Sequence, residues 1–189
     1  MRSAPGDGST DDPNELFDLV NADDQVIGQV RRGDAHHNPA LLHRSVQVLV
    51  FSSDVRLLLQ RRSRHKDLFP GYYCASASGH VAQGDDYGAT AVRETREELG
   101  IAPRLTFFAR TIVRSREETE LTAIYLAHSD GPFHFHPTET DGGMFLPLPE
   151  IRRCRAAGTL PMTPALLAAL DELDRSERAT SLDALLATL

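Results

Sequence analysis

Glu94, Glu97 and Glu98 stand at i, i+3 and i+4, which puts three carboxylates on one face of a helix. Carboxylates crowded this closely repel one another, and a hard divalent cation that prefers oxygen ligands relieves the repulsion. Arg93 precedes Glu97 by four residues, so its guanidinium can fork onto that carboxylate and fix it. Gly79 has no side chain to keep its carbonyl away from such a cation, and Asp85 adds a carboxylate near the start of the helix. Taken singly, Glu pairs on a helix are a solvated face. The joint spacing of Gly79, Arg93, Glu94, Glu97, Glu98 and Gly100 favours the cation.

Other groups with chemical potential lie outside that segment. Glu118 and Glu120 alternate, so a strand would carry both carboxylates on one face. His36 and His43 precede an apolar run, and His80 follows Gly79 directly. Arg61, Arg62, Arg64 and Lys66 form a basic run. His134 and His136 also alternate, in a metal-binding or a surface placement.

Positioning these side chains requires a sheet and at least two helices. Residues 16–20 and 25–30 read as a strand pair, with Asn21, Ala22, Asp23 and Asp24 supplying the turn. Residues 31–42 are irregular, broken by Gly33, Asn38 and Pro39. Strands are expected at 46–51, 56–60, 72–78, 105–113 and 121–127, with short edge strands at 133–136 and 144–146. A helix is expected at 86–99, with a less polar stripe of Ala89, Val92, Thr95 and Leu99, closed by Gly100. Further helices are expected at 164–174 and, more weakly, at 180–189. The order of elements predicts a mixed sheet sandwiched by helices, an α/β (α+β) fold.

The segment from Gly79 to Ile101 resembles the Nudix box, Gly-x5-Glu-x7-Arg-Glu-aliphatic-x-Glu-Glu-x-Gly-aliphatic. Asp85 stands where the first Glu is expected and Thr95 where an aliphatic residue is usual. The resemblance implies an α/β/α sandwich that cleaves a nucleoside diphosphate linked to another group. It makes Glu94 and Glu98 principal Mg²⁺ ligands, with Mn²⁺ as a substitute, and Glu97 a ligand or a base. Arg93 orients them, Gly79 offers a carbonyl, and Glu139 completes the site unless it is a surface glutamate of a loop. Arg61, Arg62 and Lys66 would face the substrate phosphates, or form a solvated basic loop.

His36, His43, His80, Glu118 and Glu120 are similar to the metal site of type 1 isopentenyl diphosphate isomerase, a relative within the same fold. That similarity implies either a second metal site or an inherited scaffold of hydrogen bonds and pocket lining. The isomerase needs a cysteine just before the Gly-His pair, where this chain has Ser78. An alcohol is far less acidic than a thiol and substitutes poorly in proton transfer to carbon. The nearly complete box therefore favours hydrolysis over isomerisation, and the intact glutamates argue against a non-catalytic binding module.

Composition fits these expectations. With 189 residues, 41% of them hydrophobic, the chain can bury a core in one domain. That domain is expected at 15–175, after a polar tail at 1–14 and before a helical extension at 176–189. The net charge of −7 disfavours a nucleic acid polymer or an anionic membrane as partner, while a small diphosphate substrate needs only a locally cationic cleft. No apolar run is long enough to span a membrane, and the start lacks the basic and apolar regions of a signal peptide. Cys74 and Cys154 are far apart and suit a reducing compartment, so a cytoplasmic location is expected. A homodimer through the N-terminal hairpin is one assembly the sequence allows.

Overall fold

The computed structural model describes residues 12–177. The expectations for residues 1–11 and for a helix at 180–189 fall outside the described residues. Nine strands form one mixed sheet: β1 (Leu16–Val20), β2 (Val26–Arg31), β3 (Leu42–Phe51), β4 (Arg56–Arg62), β5 (Tyr73–Cys74), β6 (Ala77–His80), β7 (Thr106–Arg114), β8 (Thr119–His128) and β9 (Thr140–Pro147). Among the described residues four helices accompany them: α1 (Arg32–Ala35), α2 (Tyr87–Leu99), α3 (Leu148–Ala157) and α4 (Pro164–Glu177).

β3 is the axis of the sheet. Along one edge it pairs in parallel with β8, from Leu42 opposite Thr119 to Phe51 opposite His128. Along the other it meets β1, β6 and β4 in turn, all antiparallel. Its inner residues are apolar almost without interruption because both faces are covered. Val46, Val48 and Val50 join Leu58, Ala77 and Val81 under Ala91 and Leu99 of α2. Leu49 and Phe51 join Leu57, Leu59, Ile124 and Leu126 under Leu166, Ala169, Leu170 and Leu173 of α4 and Ile151 of α3. This is the α/β/α sandwich expected from the sequence.

Helix α2 begins where Asp86 accepts a hydrogen bond from Ala89 N at 2.8 Å and ends at Gly100, which takes the left-handed conformation at φ 68°. The buried side is Thr90, Ala91, Thr95, Glu98 and Leu99, so the stripe is rotated from the expected one, and Val92 is half exposed. The rotation carries Glu98 against β4, where Gln60 meets its carboxylate.

Other departures have local causes. The expected strand at 72–78 is two strands, because Ser76 donates its hydroxyl to Leu58 O and accepts from Val50 N, replacing ladder bonds between them. The expected strand at 133–136 is not a strand. Its His134 and His136 amides donate to the carbonyls of Leu99 and Glu98, closing the end of α2, while Phe133 and Phe135 pack into the core. Within 31–42, Arg32–Ala35 forms one helical turn. Helix α3 was hidden by Pro149, which is tolerated in a first helical turn, and by a surface rich in arginine.

Candidate functional site

A cleft with a volume of about 580 Å³ lies where β3, β4 and β6 approach the glutamates of α2. Arg93, Glu94, Glu97, Glu98, Gly79, Glu139, Arg62, Lys66, His36, His80, Glu118 and Glu120 all line it, so two groups far apart in sequence share one cavity.

The first group is built on α2. Glu94 packs against Gly79: a Cβ at residue 79 would come within 2.3 Å of the Glu94 carboxylate carbon. Glycine at 79 is therefore what admits Glu94 to the cleft. Arg93 bridges two ligand candidates, reaching Glu94 Oε1 at 2.8 Å and Glu97 Oε2 at 3.2 Å. Glu97 is more than half exposed at the rim, and Glu98 is buried and accepts from Gln60 Nε2 at 2.8 Å. Burial pushes Glu94 up to about 7, with Arg93 working against it. Burial pushes Glu98 up to about 8, with the neighbouring Glu94 adding to the rise. Two carboxylates so reluctant to ionise beside one another are a donor set that a hard cation would complete. Glu139 faces the same space, held to Lys66 Nζ at 2.8 Å. Arg62 lies on the wall, with its Nε donating to Leu68 O.

Two expected members stand apart from the cleft. Asp85 is exposed and does not line it; the capping carboxylate at the helix start is Asp86. Arg61 is exposed on the outer side, its Nε 3.4 Å from Gly71 O. His134 is exposed, whereas His136 lies on the cleft wall and pairs with Thr138.

The second group is compact. One atom each from His36, His43, His80 and Glu118 lies within 4.8 Å of all the others, a spacing suited to one metal ion. His43 Nε2 and Glu118 Oε2 are buried without a hydrogen-bond partner among the described residues, as ligand atoms would be. Second contacts fix the rings. His43 Nδ1 is 3.2 Å from Leu41 O, and His36 Nδ1 is 3.2 Å from Asp67 Oδ2, so each ring can donate there and leave Nε2 as a lone pair. Phe17 of β1 stacks on His43 and His80 at 5.2 and 4.9 Å between centroids, forming an apolar backing. His80 Nε2 also reaches Glu120 Oε1 at 3.4 Å. Burial would lower His80, but Glu118 and Glu120 raise it to about 9, so without a cation this ring keeps its proton. Burial opposes ionisation of Glu118, yet the three histidines hold it well below the usual carboxylate range.

Several residues at the site lie outside the ligand and phosphate-binding sets expected from the sequence. Arg32 lies 3.3 Å from His80 Nδ1, and Asp67 sits beside both His36 and Arg32. Gln60 and Cys74 line the cleft next to Glu98. Their only signal was adjacency to segments already singled out, and an ordinary Gln, Cys or Arg carries no spacing rule.

A family model described as the NUDIX domain matches residues 41–166. An isopentenyl-diphosphate Delta-isomerase of Nocardia farcinica is 30% identical over 167 residues, covering 85% of this chain and 95% of that protein. An uncharacterized Nudix hydrolase of Pseudomonas aeruginosa is 32% identical over 82% of this chain and 91% of its own length. The crystal structure of DR0079 from Deinococcus radiodurans superposes with a TM-score of 0.73 at 29% identity, covering 83% of this chain and 98% of that one.

Proposed function

The chain belongs to the Nudix hydrolase family, and from that premise we propose that it hydrolyses the diphosphate linkage of a nucleoside diphosphate derivative in this cleft with Mg²⁺. The observation that carries the proposal is the convergence of Glu94, Glu98 and Glu139 on one wall, with Arg62 and Lys66 beside them. Glu94, Glu97, Glu98 and Glu139 would hold the ion, and Mn²⁺ could replace it. When bound, the ion neutralises the diphosphate and makes a bound water more acidic. The protein's own groups do the rest. Arg93 holds Glu94 and Glu97 in register, and Arg62 and Lys66 offer cationic groups to the phosphates. If it does not hold the ion, Glu97 at the wet rim would instead be the base that takes a proton from the attacking water.

The cleft wall beyond the carboxylates supports a polar group on the diphosphate. Ser45, Gln47, Ser78 and Thr163 line it, and Gln47 Oε1 is buried without a hydrogen-bond partner among the described residues. A hydrocarbon there would leave that acceptor unpaired, whereas a sugar or base can donate to it.

Isomerisation of a prenyl diphosphate is the second reading, favoured by the His36, His43, His80 and Glu118 group. Proton transfer to carbon lacks its thiol. Ser78 occupies the place beside Gly79, and the Cys74 thiol is pushed up to about 12 by burial. Product analysis with Mg²⁺ across nucleoside diphosphate derivatives and isopentenyl diphosphate separates the readings. The expected result is Mg²⁺-dependent release of phosphate or a nucleoside monophosphate, reduced at least about 100-fold in Glu98→Gln with the fold intact. Isomerised prenyl diphosphate without hydrolysis would give the reaction to the second reading. Binding without turnover would make the domain a diphosphate-binding module.

A further inference from the structure

Gln60 is buried on β4, and its carboxamide is engaged at both ends. Nε2 donates to Glu98 Oε2 at 2.8 Å, and Oε1 accepts from the Cys74 thiol at 3.5 Å. Gln60 and Cys74 are direct partners across the β4–β5 pair, so the contact is set by sheet register. Leu57 and Leu59 face the α4 side of the sheet and Leu58 the α2 side. Alternation along the strand therefore turns Gln60 toward α2, where Glu98 lies.

A carboxamide can be turned end for end at little intrinsic cost. With Glu98 ionised, as a cation ligand would be, the turned amide would set its oxygen against a carboxylate oxygen, two acceptors facing each other in a buried site. The Cys74 thiol has two acceptors for its one hydrogen, Gln60 Oε1 at 3.5 Å and the Gln60 carbonyl oxygen at 3.6 Å, and when it donates to Oε1 it opposes the same turn. No other side chain among the described residues hydrogen-bonds the Glu98 carboxylate, so Gln60 alone decides which oxygen is tied and which is presented to the cleft.

We propose that Gln60 is the positioning residue for Glu98, holding one carboxylate oxygen so that the other faces the cation, with Cys74 fixing the sense of the Gln60 amide. This rests on Glu98 being a cation ligand. Partners that orient a ligand in this way are worth about 10–100-fold in metal affinity.

Mn²⁺ binding to the full chain, followed by the electron paramagnetic resonance of free Mn²⁺, tests the proposal without turnover. Glu98→Gln should remove one class of site, and Gln60→Leu should weaken that same class by about 10–100-fold. Cys74→Ser keeps a donor and should bind nearly as the native chain does, whereas Cys74→Ala should lose about 2–10-fold. Serine and alanine differ little in size, so a merely structural role for Cys74 would not separate them. If Gln60→Leu does not fold, the serine–alanine pair carries the test. Loss in Glu98→Gln with native affinity in Gln60→Leu, or equal affinity in the two Cys74 variants, overturns the positioning role and leaves the hydrolase reading intact. Native Mn²⁺ binding in Glu98→Gln overturns both.

Discussion

Glu94 and Glu98 are placed where ionisation is costly, and this leaves a signature in stability. Both have folded-state values near 7 and 8, above the ordinary carboxylate value of 4.5. The folded chain therefore holds protons more tightly than the unfolded chain between those values, and stability falls as pH rises through that window. His80, raised to about 9, acts in the same direction: its contribution is full below 6.5 and lost as pH passes 9. Asp67 and Glu118 work oppositely. Burial opposes their ionisation, but their cationic neighbours hold them low, so their contribution is lost on acidification. In EDTA the protein should be most stable near pH 5 and lose stability steadily toward pH 9, as urea denaturation at several pH values would record. A stability maximum at pH 8 to 9 in EDTA would contradict the burial of these glutamates.

At the scale of elements, the strand end carrying Gly79 and the middle of α2 are made to fit each other. Glu94 occupies the volume a side chain at 79 would need. The obstructing atoms belong to the far end of a flexible side chain, so Gly79→Ala should fold and swing the Glu94 carboxylate aside. Turnover should fall by about 100-fold or more, as misplacement of a reacting group by an ångström can do, while the melting temperature changes little. Full activity in Gly79→Ala would mean that Glu94 is not used. The segment after β8 has a related role. Its amides at His134 and His136 close the C-terminal end of α2, and the chain then reaches Glu139 on the cleft wall.

For the molecule as a whole, the sheet brings two sets of ligand candidates from different elements into one cavity. The hairpin β1–β2 supplies Phe17 behind the histidines, and α4 begins at the inner end of the cleft with Pro164 and Ala165. Among the described residues no helix is long and apolar enough to cross a membrane. A cation bound only by the folded chain stabilises it by about 2.7 kcal/mol at 100 times its Kd. For a chain of this length that corresponds to about 5–10 °C in melting temperature. Scanning calorimetry with and without saturating Mn²⁺ checks this, and an unchanged melting temperature would count against a preformed cation site.

Local periodicity made much of this legible in advance. The i, i+3, i+4 spacing of Glu94, Glu97 and Glu98, the stop at Gly100, the turn at Asn21 to Asp24 and the apolar run of β3 follow from geometry within a few residues. Resemblance to a known box then ordered the sandwich around them. What only the tertiary structure decided are contacts between residues distant in sequence. His36, His43, His80 and Glu118 could be matched to a pattern, but whether they met or made separate hydrogen bonds depended on the register of β3 with β6 and β8. Gln60 on Glu98, Asp67 on His36 and Lys66 on Glu139 had no local signal at all. Asp85 and Asp86 are adjacent and alike, and the entry of the chain into α2 made the second the cap and left the first in solvent. A sequence fixes which groups repeat along one element; the pairing of strands and the depth of burial fix which of them share a cavity.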